Sequence, residues 1–168
     1  MKQKFDASLK DLNSFSVEAH ADRLLELESI DDLQYLTTDI KFDPAHDLIL
    51  GGGSNILFAG NIKGTVVLNR IMGKQITPGP DGTFMLEAYA GESWHELVSW
   101  SLEQGLTGIE NLSLIPGLAG AAPMQNIGAY GVELSFQHWV VLAVVALALI
   151  LGGRYGNNKL RQLYLLEG

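Results

Sequence analysis

Two stretches of the sequence carry small and polar residues at spacings suited to holding a ligand. The first is Gly51-Gly52-Gly53-Ser54-Asn55, directly after the apolar run Leu48-Ile49-Leu50. A strand that stops in three glycines presents backbone N–H groups with no side chains in the way, and Ser54 and Asn55 add polar groups, so the segment can cradle an anion such as a phosphate. It is not a phosphate-binding loop of the Gly-Lys-Ser/Thr kind, because no such triplet follows. Nor is it a dinucleotide fingerprint: Ile56 stands where the third glycine belongs, and Ile71 and Met72 stand where an acidic residue is due. Alone, it would be adequately explained as a glycine-rich turn between strands. The second stretch, 115–131 (IPGLAGAAPMQNIGAYG), is dense in glycine, alanine and proline and ends in Gln125, Asn126 and Tyr130. Small residues let backbone approach backbone, or a ligand, closely. Together the two loops hold the parts an elongated ligand needs: a diphosphate cradle, amide partners and apolar walls. The residues alone support a nucleotide or cofactor site and go no further.

Other chemistry is poorly supplied. With no cysteine, the chain has no disulfide, no thiolate metal site and no cysteine nucleophile. His20, His46, His95 and His138 are scattered without metal-ligand spacing, so structural or surface roles are expected and no metal site is assigned. Glu92 and Glu96 read as charges favoured by a helix start rather than as a catalytic pair. Trp94 and Trp100 read as packing residues at helical spacing.

The elements that must position these loops are legible in part. Residues 23–28 (RLLELE) form an apolar strand candidate, and Ser29 with Asp32 signals the start of a helix carrying Leu33 and Leu36. Leu48-Ile49-Leu50 reads as a buried strand. The runs 64–69 and 83–90 are β-rich, separated by the turn cluster 78–82, and are expected to neighbour each other. The spacing predicts a helix over 94–104, capped by Ser93 with Glu96 closing the box, burying Trp94, Leu97, Val98 and Leu102 and stopping at Gly105. Val140 to Leu151 is a run of twelve apolar residues. It is short of the roughly 20 needed to cross a bilayer, which favours a buried strand or core helix over a membrane segment.

The 168 residues suit one domain or two small lobes, and 47% hydrophobic against 18% charged residues is a globular composition. A net charge of -8 disfavours nucleic acid as a partner. The amino-terminal MKQKFDASLK has lysines but no apolar stretch behind them, so no secretory signal is read and a cytoplasmic location is expected.

Four ordered strings carry a family resemblance: residues 50–57 (LGGGSNIL), 90–97 (AGESWHEL), 108–112 (GIENL), and 115–131 from Ile115-Pro116-Gly117 to Gln125-Asn126-Ile127-Gly128-Ala129-Tyr130-Gly131. They resemble the UDP-N-acetylenolpyruvoylglucosamine reductase family, and Asn13-Ser14-Phe15 is similar to that family's early Asn-Thr-Phe. The resemblance spans roughly residues 10–134. It implies an α+β, two-lobed FAD-binding fold of the vanillyl-alcohol-oxidase (PCMH) type, incomplete at the carboxyl-terminal end. Residues 1–65 would be the first FAD-binding lobe, 66–134 the second, and 135–168 an atypical apolar segment and tail, with the substrate domain absent. It further implies that FAD is lined by Gly51, Gly52, Gly53, Ser54 and Asn55, and by Pro116, Gly117, Gly120, Ala121, Ala122, Pro123, Gln125, Asn126, Gly128, Ala129 and Tyr130. NADPH would be the hydride donor and a nucleotide sugar the substrate, in peptidoglycan precursor synthesis. The family's catalytic arginine, serine acid and late glutamate find no match here. No catalytic residue is therefore assigned, the chain by itself is expected to be inactive, and a non-catalytic remnant or truncated binding module is the alternative.

Overall fold

The computed structural model describes residues 1–40, 42–133 and 161–167. These fall into two compact units, Met1–Ile71 and, in the second, 72–133 with 161–167. The chain passes between them after Ile71. Position 65/66, where the sequence reading divides the lobes, lies within a strand.

The first unit is built on a four-stranded sheet in the order β1-β2-β4-β3. Strand β1 (Lys2–Ser8) is antiparallel to β2 (His20–Leu27), and β4 (Ile62–Asn69) runs parallel to both β2 and β3 (Leu48–Leu50). Consecutive residues are buried along the inner strands, with Leu24, Leu25, Val66, Val67 and Leu68 all nearly inaccessible. Successive side chains point to opposite faces, so such a run means a sheet covered on both sides, as parallel pairing requires. Helix α1 (Ile30–Tyr35) starts at Ser29, whose hydroxyl accepts the Asp32 N–H while the Asp32 carboxylate accepts the Ser29 N–H, so the predicted cap is formed reciprocally. Leu33 and, in the following π turn, Leu36 are buried as expected.

The second unit holds the hairpin β5 (Lys74–Pro78) and β6 (Thr83–Tyr89), with β9 (Arg161–Glu167) antiparallel on the other edge of β6. The expectation that 64–69 and 83–90 are neighbours is corrected here, since they belong to different sheets and the 78–82 cluster turns β5 into β6. Strand β5, which supplies the real neighbour, carries one aliphatic residue and ends in proline, so it gives little apolar signal.

Helix α2 (Trp94–Glu103) follows β6. Ser93 accepts the Glu96 N–H at 3.5 Å, so the cap forms, while the reciprocal bond from Glu96 is not made among the described residues. Gly105, at φ +78°, takes the left-handed conformation that stops the helix. Trp94, Leu97 and Val98 are buried, but Leu102 is 43% exposed. Ser101 takes the fourth inward position instead, its hydroxyl donating to the Val98 carbonyl at 2.8 Å and so removing the cost of burying it. The Trp94 indole donates to the Leu112 carbonyl at 2.8 Å inside a core shared with Leu86, Leu106 and Ile109. Val140 to Leu151 lies outside the described residues, as does His138. No described helix is long and apolar enough to cross a membrane.

Candidate functional site

The first glycine loop belongs to the first unit. Strand β3 buries Leu50 but leaves Ile49 exposed, so it is not the buried strand the apolar run suggests, and the chain then turns at Gly53, whose φ is +69°. A Cβ at Gly53 would fall on the carbonyl of Leu12, so both the conformation and the space demand glycine. The Gly53 carbonyl accepts the Ser14 N–H at 3.0 Å. That supporting turn is itself held by Asn13, which is 6% exposed. Its amide donates to the carbonyls of Leu9 at 2.8 Å and Val17 at 3.1 Å, and its oxygen accepts the Val17 N–H at 3.0 Å. In the sequence Asn13 stands out only as part of the Asn13-Ser14-Phe15 motif, which assigns it no task. The structure gives it one: it freezes the turn on which Gly53 rests.

On the outward side, Gly52 and Asn55 are exposed and Ser54 is half-buried. The backbone N–H groups of Gly52, Gly53 and Asn55 have no protein acceptor among the described residues. Undirected donors of this kind at a strand end fit an anionic group such as the diphosphate of FAD.

The second loop belongs to the second unit and is built differently. It lies against the corner between β6 and α2. Trp94 N–H donates to the Gly117 carbonyl at 3.1 Å, Ala119 N–H to the Glu92 carbonyl at 2.8 Å and Gly120 N–H to the Ala90 carbonyl at 3.1 Å. A Cβ on Gly120 would stand 2.5 Å from that of Ala90, so glycine permits this approach. Beyond it the chain coils on itself. Ala121 and Ala122 donate to Leu118, Gln125 to Ala121, Asn126 to Pro123 and Ile127 to Ala122. Strands β7 (Gly128–Ala129) and β8 (Val132–Glu133) then pair around Tyr130-Gly131, both at positive φ, +53° and +81°. That is the backbone of a two-residue hairpin of type I′.

Of the predicted second-loop residues, Ala122 and Pro123 are buried, Gly117, Gly120, Ala121, Gln125 and Ala129 are half-buried, and Pro116, Asn126, Gly128 and Tyr130 are exposed. Tyr130, placed near a flavin by the family motif, is 91% exposed at the hairpin tip. Ahead of the loop, Glu110 accepts the Gly108 N–H at 2.5 Å. Bonds from its own N–H and from that of Gly108 hold its carboxyl below the usual glutamate range.

The reading of Glu92 as a helix-start charge is corrected. The residue is 4% exposed, and its carboxylate accepts the Gly73 N–H at 2.7 Å and the Lys74 ammonium at 3.1 Å. Nothing local in the sequence marks the carboxylate that follows Gly91 as buried, since its partners Gly73 and Lys74 lie 18 or more residues away. A concavity of about 180 Å³ lined by Gly73, Lys74, Gln75, Glu87, Ala88 and Tyr89 contains none of the predicted cofactor residues. Among the described residues no group of three His, Asp or Glu side chains is arranged to hold a metal.

Comparison with known proteins decides the family. The profile of the family described as "FAD binding domain" matches residues 21–148, more than half of the chain. The chain belongs to that FAD-binding domain family. Within it, the resemblance to UDP-N-acetylenolpyruvoylglucosamine reductases read from the loops holds. The protein of that name from Aliivibrio fischeri is 47% identical over 134 residues, covering 80% of this chain and 38% of its own length. The one from Photorhabdus laumondii is 52% identical over 126 residues, covering 75% and 37%. A Shewanella relative is 50% identical over 131 residues, covering 77% and 38%. This FAD-binding domain thus spans well under half the length of the curated relatives it matches. The crystal structure of the reductase from Thermus caldophilus superposes with a TM-score of 0.57 at 24% identity, over 79% of this chain and 44% of that one. That likeness shows a shared fold, which together with the FAD-binding family match is the α+β, PCMH-type fold.

Proposed function

We propose that the chain is the FAD-binding portion of an NADPH-dependent reductase that converts UDP-N-acetylglucosamine enolpyruvate to UDP-N-acetylmuramate in the cytoplasm, for peptidoglycan precursor synthesis. The two compact units act as the two FAD-binding lobes. Gly51, Gly52, Gly53, Ser54 and Asn55 receive the diphosphate. Pro116, Gly117, Gly120, Ala121, Ala122, Pro123, Gln125, Asn126, Gly128, Ala129 and Tyr130 line the remainder, with Tyr130 beside the ring. When bound, FAD supplies a hydride carrier between NADPH and the enolpyruvyl double bond. The protein's own part is to bind, orient and enclose it. The observation that carries this reading is that the N–H groups of Gly52, Gly53 and Asn55 have no acceptor among the described residues, on a loop that the family resemblance assigns to the cofactor.

The test is flavin titration of the purified chain, followed by amide hydrogen exchange with and without FAD. Saturable binding with protection appearing at both 51–55 and 116–130 is expected. Protection at one loop alone would remove the shared-ligand reading. A companion variant, Gly52→Asp, places a carboxylate on an exposed residue outside the left-handed region. Like charge beside the diphosphate should weaken FAD binding by about tenfold or more while the melting temperature stays put. Unchanged affinity would move the diphosphate elsewhere.

A further inference from the structure

Glu92 is a buried carboxylate that the flavin reading leaves without a task. Its side chain is 5% exposed and faces two donors, the Gly73 N–H and the Lys74 ammonium. The Lys74 nitrogen also lies 5.5 Å from the centroid of the Trp100 ring, so the partly buried cation is flanked by a carboxylate and an aromatic face. A buried ion pair is weak evidence for stability, since apolar residues of similar volume often serve as well. Its main chain gives this one a different meaning. The Glu92 carbonyl accepts the Ala119 N–H, its N–H donates to the Tyr89 carbonyl, and its neighbours Ala90 and Trp94 hold Gly120 and Gly117. Ser93 and Leu118 form an isolated antiparallel bridge across the same seam. One residue therefore ties the start of β5 on its side-chain end to the second loop on its backbone end.

We propose that Glu92 is a positioning residue: anchored through its carboxylate to Gly73 and Lys74, it fixes the backbone edge from Ala90 to Trp94 on which the 117–120 segment is laid. As an aid to cofactor binding, this rests on the flavin reading above. As a statement about the loop, it does not.

The Tyr89 N–H also donates to the Gly73 carbonyl at 2.8 Å, so the backbone ties the end of β6 to the start of β5 as well, and Glu92 adds a side-chain anchor to the same glycine. Of the flanking residues, Gly91 has no side chain and the Ser93 hydroxyl accepts the Glu96 N–H, so neither adds a side-chain anchor to β5 among the described residues. The register of the 117–120 segment is shared between the Glu92 carbonyl and the contacts of Ala90, Ser93 and Trp94 on the same edge, which the anchored Glu92 holds in place from the middle.

The experiment compares amide exchange in the wild-type chain, Glu92→Ala and Glu92→Gln, without flavin, followed by FAD titration of each. Glu92→Ala removes both anchors and should raise exchange at Gly73, Ala119 and Gly120 by about tenfold, with Leu97 and Val98 inside α2 unchanged. Glu92→Gln keeps an acceptor for the Gly73 N–H and loses the charge pair, so its effect at Ala119 and Gly120 should be intermediate. It also decides the matter if the alanine variant does not fold. FAD affinity should fall in the same order, by about tenfold for alanine. Exchange at Ala119 and Gly120 that stays at the wild-type rate, or rises no more than at Leu97 and Val98, overturns the proposal. A wild-type chain without flavin affinity sinks the cofactor reading instead, while the exchange result still decides whether Glu92 positions the segment.

Discussion

The two glycine-bearing loops achieve order by opposite means. Gly51–Asn55 is pressed from behind: Gly53 has no room for a side chain, and the turn behind it is locked by the buried Asn13 amide. Its outward N–H groups at Gly52 and Asn55 remain unspent among the described residues. The 116–130 loop instead uses its N–H groups on itself and on the Ala90–Trp94 corner, leaving side chains such as Asn126 and Tyr130 to face outward. A loop that leaves amides such as those of Gly52 and Asn55 without an acceptor among the described residues is suited to an anion. One that consumes them is suited to presenting side chains and walls.

The largest test of that contrast is Gly53→Ala. The added methyl meets backbone that cannot swing away, in a conformation that disfavours L-residues, and should cost about 3 kcal/mol or more. Chemical denaturation gives the measurement, with the midpoint falling sharply. Gly120→Ala should cost less, about 1–3 kcal/mol, because the obstruction is a methyl and an adjoining backbone edge in the second loop alone. Equal losses in the two variants would erase the distinction. Gly131→Ala meets nothing within 4 Å and has only its φ of +81° against it, so about 1 kcal/mol is expected.

The smallest effect is a pH dependence confined to the approach to the second loop. The Glu110 carboxyl is lowered from its ordinary value of 4.5, so its bonds stabilise the fold above that value and are lost as pH falls through the lower folded value. The Gly108 amide resonance should titrate with a midpoint below 4.5, and Glu110→Gln should abolish the transition. A midpoint at or above the ordinary value would contradict the bonding at Gly108.

What was legible in the sequence follows the strength of local signals. The helix at 94–103, the capping box at Ser29 and the strand ending at Leu50 were readable because periodicity, caps and glycine stops act within a few residues. Strand β1 escaped notice because it is an edge strand with only Ala7 buried, so its sequence, KQKFDAS, has no apolar run. The partner of β6 was misjudged because pairing is a tertiary choice, and a residue run with strong β character outcompeted the polar β5 on paper. Leu102 suits an inward position by residue type, whereas Ser101 satisfies its hydroxyl within the helix and is the one buried. At the site, the glycines announced themselves. Asn13 and Glu92 did not, since their importance lies in partners reached only after folding.

Strand β6 illustrates how such pairings also set an order of events. Its pairing with β5 closes over a short turn, but Tyr89 meets Arg161 and Thr83 meets Glu167 only after the intervening chain has been made. As the polypeptide leaves the ribosome, β6 must wait with one edge unpaired, displaying a row of backbone donors and acceptors to whatever is nearby. The interval before residues 161–167 emerge is therefore a period in which a nascent chain of this protein exposes β6 to strand capture by a neighbour, and slowing translation over that stretch should increase its demand for chaperones.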